Sequence, residues 1–300
     1  MATLKEIRLR IASVKSTRKI TSAMSRIASA RLRRAQNAML DARPYGERMA
    51  EVTGQLVSEL DPAEENHPLL ADRSVRRVAV FAVTADRGLC GGFNSNVIKA
   101  TAAFVAEQEE KGHEVVYVSV GRKGAQALDA LEQTIHERHP APDFRSAVEL
   151  AHTITNQAIG MFEIHDEDLG VPQVDAVYLI YNHFKNVLTQ EVRTRQLLPI
   201  PPVEPTLDED GNPVPPPERE YEPDLKGLLD HLLPVSVEAA VQEAMLNSSA
   251  SELAAKRVAM DAATDNASEL IKDLTLEYNR GRQAAITREL IEIISGAQAV

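Results

Sequence analysis

At 300 residues, with 44% hydrophobic and 26% charged side chains, the chain predicts about two domains and is long enough to bury a real core. A single cysteine, Cys90, excludes an internal disulfide and fits a reducing compartment, and no apolar run approaches the roughly 18 residues that a membrane span needs. The net charge of −11 is unevenly placed: residues 1–43 hold eleven Lys/Arg against Glu6 and Asp41, a local charge of +9, which leaves −20 on the other 257 residues.

The first element is a long helix. Residues 1–61 contain one proline, Pro44, before Pro62, and Leu4, Ile7, Ile11 and Val14 recur at helical 3-4 spacing. Helical text already at Leu4 leaves no room for a signal peptide's apolar region. Arg18, Thr21 and Ser25 read as an interruption, after which Ile20, Met24 and Ile27 continue the seam on a shifted stripe and Leu32, Ala35, Met39 and Ala42 extend it. Pro44 and Gly46 mark an expected kink, followed by Met49, Val52, Leu56 and Leu60.

From Val75 the texture changes to short β-branched runs at 78–83, 115–120 and 174–181, separated by helical stretches at 96–108, 123–131 and 146–161. Strands alternating with helices predict a Rossmann-like, mainly parallel sheet covered on both faces, over residues 75–200. A further strand, 187–196, is expected to return antiparallel. Residues 201–223 read as a proline-rich loop or hairpin, since eight of the sixteen prolines fall between 199 and 217. Residues 224–300 read as a short helix, then a second long helix after Pro234 capped by Ser236, with a heptad line through Leu246, Leu253, Met260, Ala267, Leu270 and Leu274. Beyond Gly281, Ile286, Leu290, Ile291, Ile293 and Ile294 surround the helix and call for an apolar socket. The fold class is therefore α/β, a long antiparallel coiled coil of the terminal helices plus a Rossmann-like domain.

Chemistry-bearing motifs are few. The turn from Thr84 to Asn94 lies between a strand and a helix, where a phosphate loop would lie, but its glycines match neither G-x-G-x-x-G nor G-x-x-x-x-G-K-[ST]. His136-Glu137-Arg138-His139 lacks the one-turn spacing of H-E-x-x-H and, with Pro140 and Pro142 after it, reads as a loop of solvated residues rather than a metal site. No Ser/His/Asp order stands out, no cofactor is implied, and the chain does not read as an enzyme. For the basic N-terminal helix, a solvated coiled-coil face and a contact with an acidic protein surface are both open. Nucleic acid is disfavoured, because no aromatic residue occurs before Tyr45 to stack on a base.

Three segments carry a family resemblance. Ile11-Ala12-Ser13-Val14 with Thr17-Arg18-Lys19-Ile20-Thr21-Ser22-Ala23-Met24, the turn from Thr84 to Asn94, and Tyr278-Asn279-Arg280-Gly281-Arg282-Gln283-Ala284-Ala285-Ile286-Thr287-Arg288-Glu289-Leu290 closely resemble the gamma subunit of bacterial F-type ATP synthase. The likeness covers essentially the whole chain. It implies a central rotor shaft inside a hexamer of alpha and beta subunits, with the Rossmann-like domain beside the epsilon subunit and the c-ring, and catalytic residues on other subunits. It further implies a peripheral membrane protein on the cytoplasmic face of the cell membrane.

By matching motif positions, the resemblance puts Met24 and Arg257 opposite the acidic beta-subunit lever, with facing shaft residues summing to about 280 and Gly281 onward projecting beyond the pairing. It puts Arg282, Gln283, Thr287 and Glu289 at polar catch contacts, and Tyr221 and Glu222 in the foot segment near epsilon and the c-ring. The 165–173 stretch and the proline-rich 203–217 segment depart from the family pattern, and the cysteine pair of the chloroplast regulatory form is missing. The competing readings are an unrelated coiled-coil adaptor with an α/β binding module and a nucleotide-dependent enzyme.

Overall fold

A computed structural model describes residues 3–58, 67–71, 73–163, 173–201 and 225–297. Tyr221, Glu222, the 203–217 segment and all but the end of the 165–173 stretch lie outside the described residues. The elements run α1 (Leu4–Ser58), a 3-10 turn (Pro68–Leu70), β1 (Arg77–Val83), α2 (Phe93–Glu110), β2 (Glu114–Val120), α3 (Arg122–Ala130), β3 (Ile135–His139), α4 (Ala147–Glu163), β4 (Ala176–Phe184), β5 (Gln190–Leu198) and α5 (Leu225–Ala297). They form two compact units, residues 1–30 with 256–300, and residues 31–255.

The first unit is an antiparallel helix pair. Its α1 side places Leu4, Ile7, Ile11, Val14, Thr21, Ser25 and Ala28 inward, fully or half-buried. Its α5 side does the same with Met260, Thr264, Ala267, Ile271, Leu274, Tyr278 and Gly281. Both sets follow 3-4 spacing on one stripe, except that Arg18, the position between Val14 and Thr21, is exposed. Thr21 and Ser25 are 8% and 7% exposed, whereas Ile20 and Ile27, expected to carry the seam, are 57% and 60% exposed. The physical reason is partner chemistry: Thr21 Oγ1 meets Thr264 Oγ1 at 2.7 Å and Ser25 Oγ donates to Asp261 Oδ1 at 2.5 Å, so these polar residues are satisfied inside the seam. Leu270 likewise turns partly outward, at 38% exposed. The register is also offset from expectation. Thr21 with Thr264, Ser25 with Asp261, and Leu4 against Gly281 give pair sums of 285 or 286, about one helical turn from 280.

The second unit is built on a five-stranded sheet of order β3-β2-β1-β4-β5, parallel except for β5, which runs antiparallel to β4. β1 is central and six of its seven residues are buried, as a strand covered on both faces requires. On one face Ala79, Phe81, Val83, Val118, Val177 and Leu179 pack with α4 (Ile154, Met161, Phe162) and α5 (Leu229, Leu233, Val237, Val241). On the other, Val78, Val80, Ala82 and Ile180 pack with Val97 of α2. Each of the larger side chains among them (Val, Leu, Ile, Met, Phe) contributes roughly 1.5 to 3 kcal/mol on burial.

Two local features differ from the sequence reading. His136 to His139 belong to β3, paired with β2 through Val118 with Glu137 and Val120 with His139, rather than to a loop. As an edge strand β3 leaves its three middle residues exposed, which gives it a loop-like polar text. Pro234 does not divide two helices: α5 is continuous through it, and Ser236 Oγ donates back to Leu233 O at 2.7 Å instead of capping a new start. Leu229 and Leu233 before the proline and Val237 and Val241 after it enter the same core, so packing holds the helix across the missing N–H. α1 likewise passes through Pro44.

Candidate partner-contact surfaces

The carboxyl ends of β1 and β4, where the strand order reverses, form the crevice in which Rossmann-like sheets hold ligands. Here it is filled by the chain itself. Ala85, Cys90 and Phe93 make a small core closed by Ala255 of α5, Asn182 Nδ2 donates to Phe93 O at 3.2 Å, and Ser251 Oγ donates to Asn182 O at 3.3 Å. Asn94 Oδ1 accepts from Ala85 N at 2.8 Å, and Cys90 Sγ sits 3.3 Å from Asn94 Nδ2. A Cβ on Gly121, whose φ is +93°, would lie 2.2 Å from Thr84 O, so the neighbouring loop is packed as closely. These contacts fill the crevice with the chain's own atoms, and the turn's glycines lack the spacing of a phosphate loop, so the nucleotide-enzyme reading is not favoured. Among the described residues, no group of three or more His, Cys, Asp or Glu is placed to hold a metal ion.

The helix pair presents a different surface. Arg18, Lys19, Ser22, Ala23 and Arg26 of α1, with Thr264 and Ser268 of α5, line an open groove of about 460 Å³. Its cations come from the exposed positions of α1, and Ile20 and Ile27 lie on the outward surface as well. A basic, partly apolar face of this kind suits an acidic protein surface. Met24 is half-buried on α1, and Arg257, with its side chain 43% exposed, has Nε 3.8 Å from Asp261 Oδ2. Toward the end of α5, Arg282, Gln283 and Thr287 are exposed, and Thr287 Oγ1 donates to Gln283 O at 2.9 Å, which brings those two together on one helix face. The side chain of Glu289 lies outside the described residues. The polar layer of Thr21, Ser25, Asp261 and Thr264 was not singled out from the sequence as a contact layer. The signal was present, because positions 18, 21 and 25 continue the 3-4 spacing of 4, 7, 11 and 14 without a break.

A coiled coil formed by the two chain ends, joined to an α/β body whose crevice is filled by its own helix, defines a shaft or scaffold subunit. The family model described as ATP synthase matches residues 3–300. The ATP synthase gamma chain of Geobacter metallireducens (strain ATCC 53774 / DSM 7210 / GS-15) is 42% identical over 300 residues, covering 100% of this chain and 99% of that one. That of Trichlorobacter lovleyi (strain ATCC BAA-1151 / DSM 17278 / SZ) is 41% identical over 304 residues, with 100% and 99% covered. A chain in the cryo-EM structure of the Euglena gracilis mitochondrial ATP synthase, OSCP/F1/c-ring, shares the fold at a TM-score of 0.64 and 18% identity, covering 99% of this chain and 94% of that chain. The chain belongs to the ATP synthase gamma chain family, and is as such a non-catalytic subunit. Among the described residues no helix is long and apolar enough to cross a membrane.

Proposed function

We propose that this chain is the central rotor shaft of an F-type ATP synthase, transmitting torque between the membrane c-ring and the catalytic alpha/beta hexamer and so coupling proton flow to ATP synthesis or hydrolysis. The observation that carries it, beside the family, is the long antiparallel seam of α1 and α5, in which apolar layers flank the adjacent hydrogen-bonded Thr21–Thr264 and Ser25–Asp261 pairs. Two helices locked by many seam contacts resist twisting as a single helix cannot, and polar layers fix their register. The basic groove around Arg18, Lys19 and Arg26, with Met24 and Arg257, faces acidic beta-subunit surfaces. Arg282, Gln283, Thr287 and Glu289 make polar catch contacts nearer the end of α5, and Tyr221 and Glu222 face epsilon and the c-ring. The subunit sits at the cytoplasmic face of the cell membrane as a peripheral protein.

The test is purification of the assembled complex, with the chain carrying the combined substitutions Arg18→Gln, Lys19→Gln and Arg26→Gln compared with the unaltered form. Recovery of three alpha and three beta subunits with either chain, and a loss of ATP-driven proton pumping relative to ATP hydrolysis in the variant, supports the reading. A stable homodimer that recovers no alpha or beta subunits supports the adaptor reading instead.

A further inference from the structure

On the face of the sheet away from α4 and the start of α5, α2 and α3 lie side by side over β1 and β2, and a second groove of about 190 Å³ opens between them. It lies wholly within the body of residues 31–255. Small residues keep it open: Ala102 and Ala106, one turn apart on α2, stand across from Ala127 of α3, where larger side chains would meet. Beneath them Val105 of α2, Tyr117 of β2 and Leu128 of α3 pack together as a buried floor.

Glu109, in the last turn of α2, and Gln133, just beyond the end of α3, line one end of the groove. Tyr117 is 7% exposed, yet its hydroxyl has no hydrogen-bond partner among the described residues, whereas Tyr178, two strands along, donates to Gln196 Oε1 at 3.1 Å. Unlike the enclosed Oγ1 of Thr101 in the same groove wall, the Tyr117 oxygen keeps accessible surface, so a ligand in the groove can reach it. Burial pushes the Tyr117 pKa above the ordinary tyrosine value and the charge of Glu109 adds to the rise, so the two groups share one electrostatic neighbourhood and the phenol is neutral at pH 7. The Glu109 carboxylate has no ion pair among the described residues, since the neighbouring Lys111 is held by Glu107 at 2.7 Å. No residue lining the groove is basic. An apolar slot with one anionic end selects a cation that carries an apolar body. A cavity of about 150 Å³ holds benzene, so about 190 Å³ takes one aromatic ring and a short arm.

We propose that the groove between α2 and α3 binds a small arylalkyl ammonium ion, its ring between the alanine-lined helices and its ammonium head at Glu109. The three N–H donors of that head meet the Glu109 carboxylate, the Tyr117 oxygen and the Gln133 Oε1. An anion of the same shape is repelled by Glu109, and an ammonium ion without the ring gains too little apolar burial to be held.

Calorimetric titration of the full chain at neutral pH and constant ionic strength tests this, with phenethylamine as the probe and phenylacetate and methylamine for comparison. Saturable one-to-one binding of phenethylamine is expected, and of neither comparison probe. Glu109→Gln should weaken it about tenfold or more and Tyr117→Phe severalfold, while Ala106→Leu should abolish it by filling the groove. Glu107→Gln removes the same charge outside the groove and should leave binding unchanged. Ala106, Glu107 and Glu109 are exposed on α2, so their variants are expected to fold, and circular dichroism checks this. Absence of saturable phenethylamine binding, saturable binding of phenylacetate or methylamine, equal weakening by Glu107→Gln, or undiminished binding by the Ala106→Leu chain overturns the proposal. Loss of binding when the titration is repeated on the assembled complex would make the groove a seat for a neighbouring subunit and overturn it equally.

Discussion

Thr21 Oγ1 and Thr264 Oγ1 lie 2.7 Å apart in the seam between α1 and α5, 243 residues apart in sequence. Cysteines at these two positions would place their sulfur atoms close to where the oxygens now sit, and a disulfide needs about 2.05 Å between sulfurs, a closure that small rotations supply. Thr21→Cys with Thr264→Cys should therefore crosslink nearly completely under mild oxidation. Met24→Cys with Arg257→Cys is displaced from the seam register by about one turn, roughly 6 Å along the axis, and should crosslink poorly. The yields are read from non-reducing gels, and equal yields for the two pairs would contradict the register.

Much of the sheet was legible because β1, β2 and β4 are buried on both faces and so keep β-branched runs such as Val78 to Val83. β3 was not, since an edge strand needs no apolar alternation and His136, Glu137 and Arg138 face water. The seam was misread at Thr21 and Ser25 for a related reason. Apolar periodicity identifies burial only where burial is apolar, and a polar layer satisfied across the interface looks from one strand of sequence like a gap. Pro234 misled because local propensity is overridden when residues on both sides enter one core, as Leu233 and Val237 do.

The core that carries α5 through Pro234 makes its own prediction. Leu233 is fully buried, and Leu233→Ala removes contacts just before the one position of that turn that lacks a backbone N–H. A cost of about 2 to 5 kcal/mol is expected, as for large-to-small core changes generally. Chemical denaturation followed by circular dichroism measures it. A cost below about 1 kcal/mol would mean that the helix does not depend on this packing.

His67 gives a pH dependence with a definite sign. Its Nδ1 accepts from Leu69 N at 3.1 Å, capping the 3-10 turn, and its Nε2 approaches Asp230 Oδ1 at 3.3 Å. Burial pushes its pKa below the ordinary histidine value, outweighing the opposing pull of Asp230. Because the folded pKa is lowered, the stabilisation is present above the unfolded value of about 6.5 and is lost as pH falls through the folded one. Protonation also removes the acceptor that the cap uses. Thermal stability should therefore fall as the pH is lowered from 7 toward 5, and His67→Asn, which keeps a capping acceptor but does not titrate, should flatten that slope. An unchanged slope in the variant would locate the pH dependence elsewhere.

The end of α5 separates the shaft from the body. Ile286, Leu290 and Ile291 are 48%, 54% and 58% exposed, and among the described residues no buried member of the sheet's two core clusters comes from beyond Leu246. Apolar side chains left in water at the end of a helix gain roughly 1.5 to 3 kcal/mol each if a partner subunit buries them, enough to matter in assembly even after the entropic cost of association. Removing residues 291–300 should therefore weaken incorporation into the alpha/beta complex while leaving the isolated chain's sheet intact. Rotation should survive in part, because a sleeve around the shaft's end centres it without generating torque. Circular dichroism and recovery of the alpha/beta complex are measured on the same truncated chain. Loss of the sheet signal would place the tail in the folding core of the body and sink the shaft assignment for this end of the chain, whereas an intact sheet with undiminished assembly would show that the exposed isoleucines have no partner to meet.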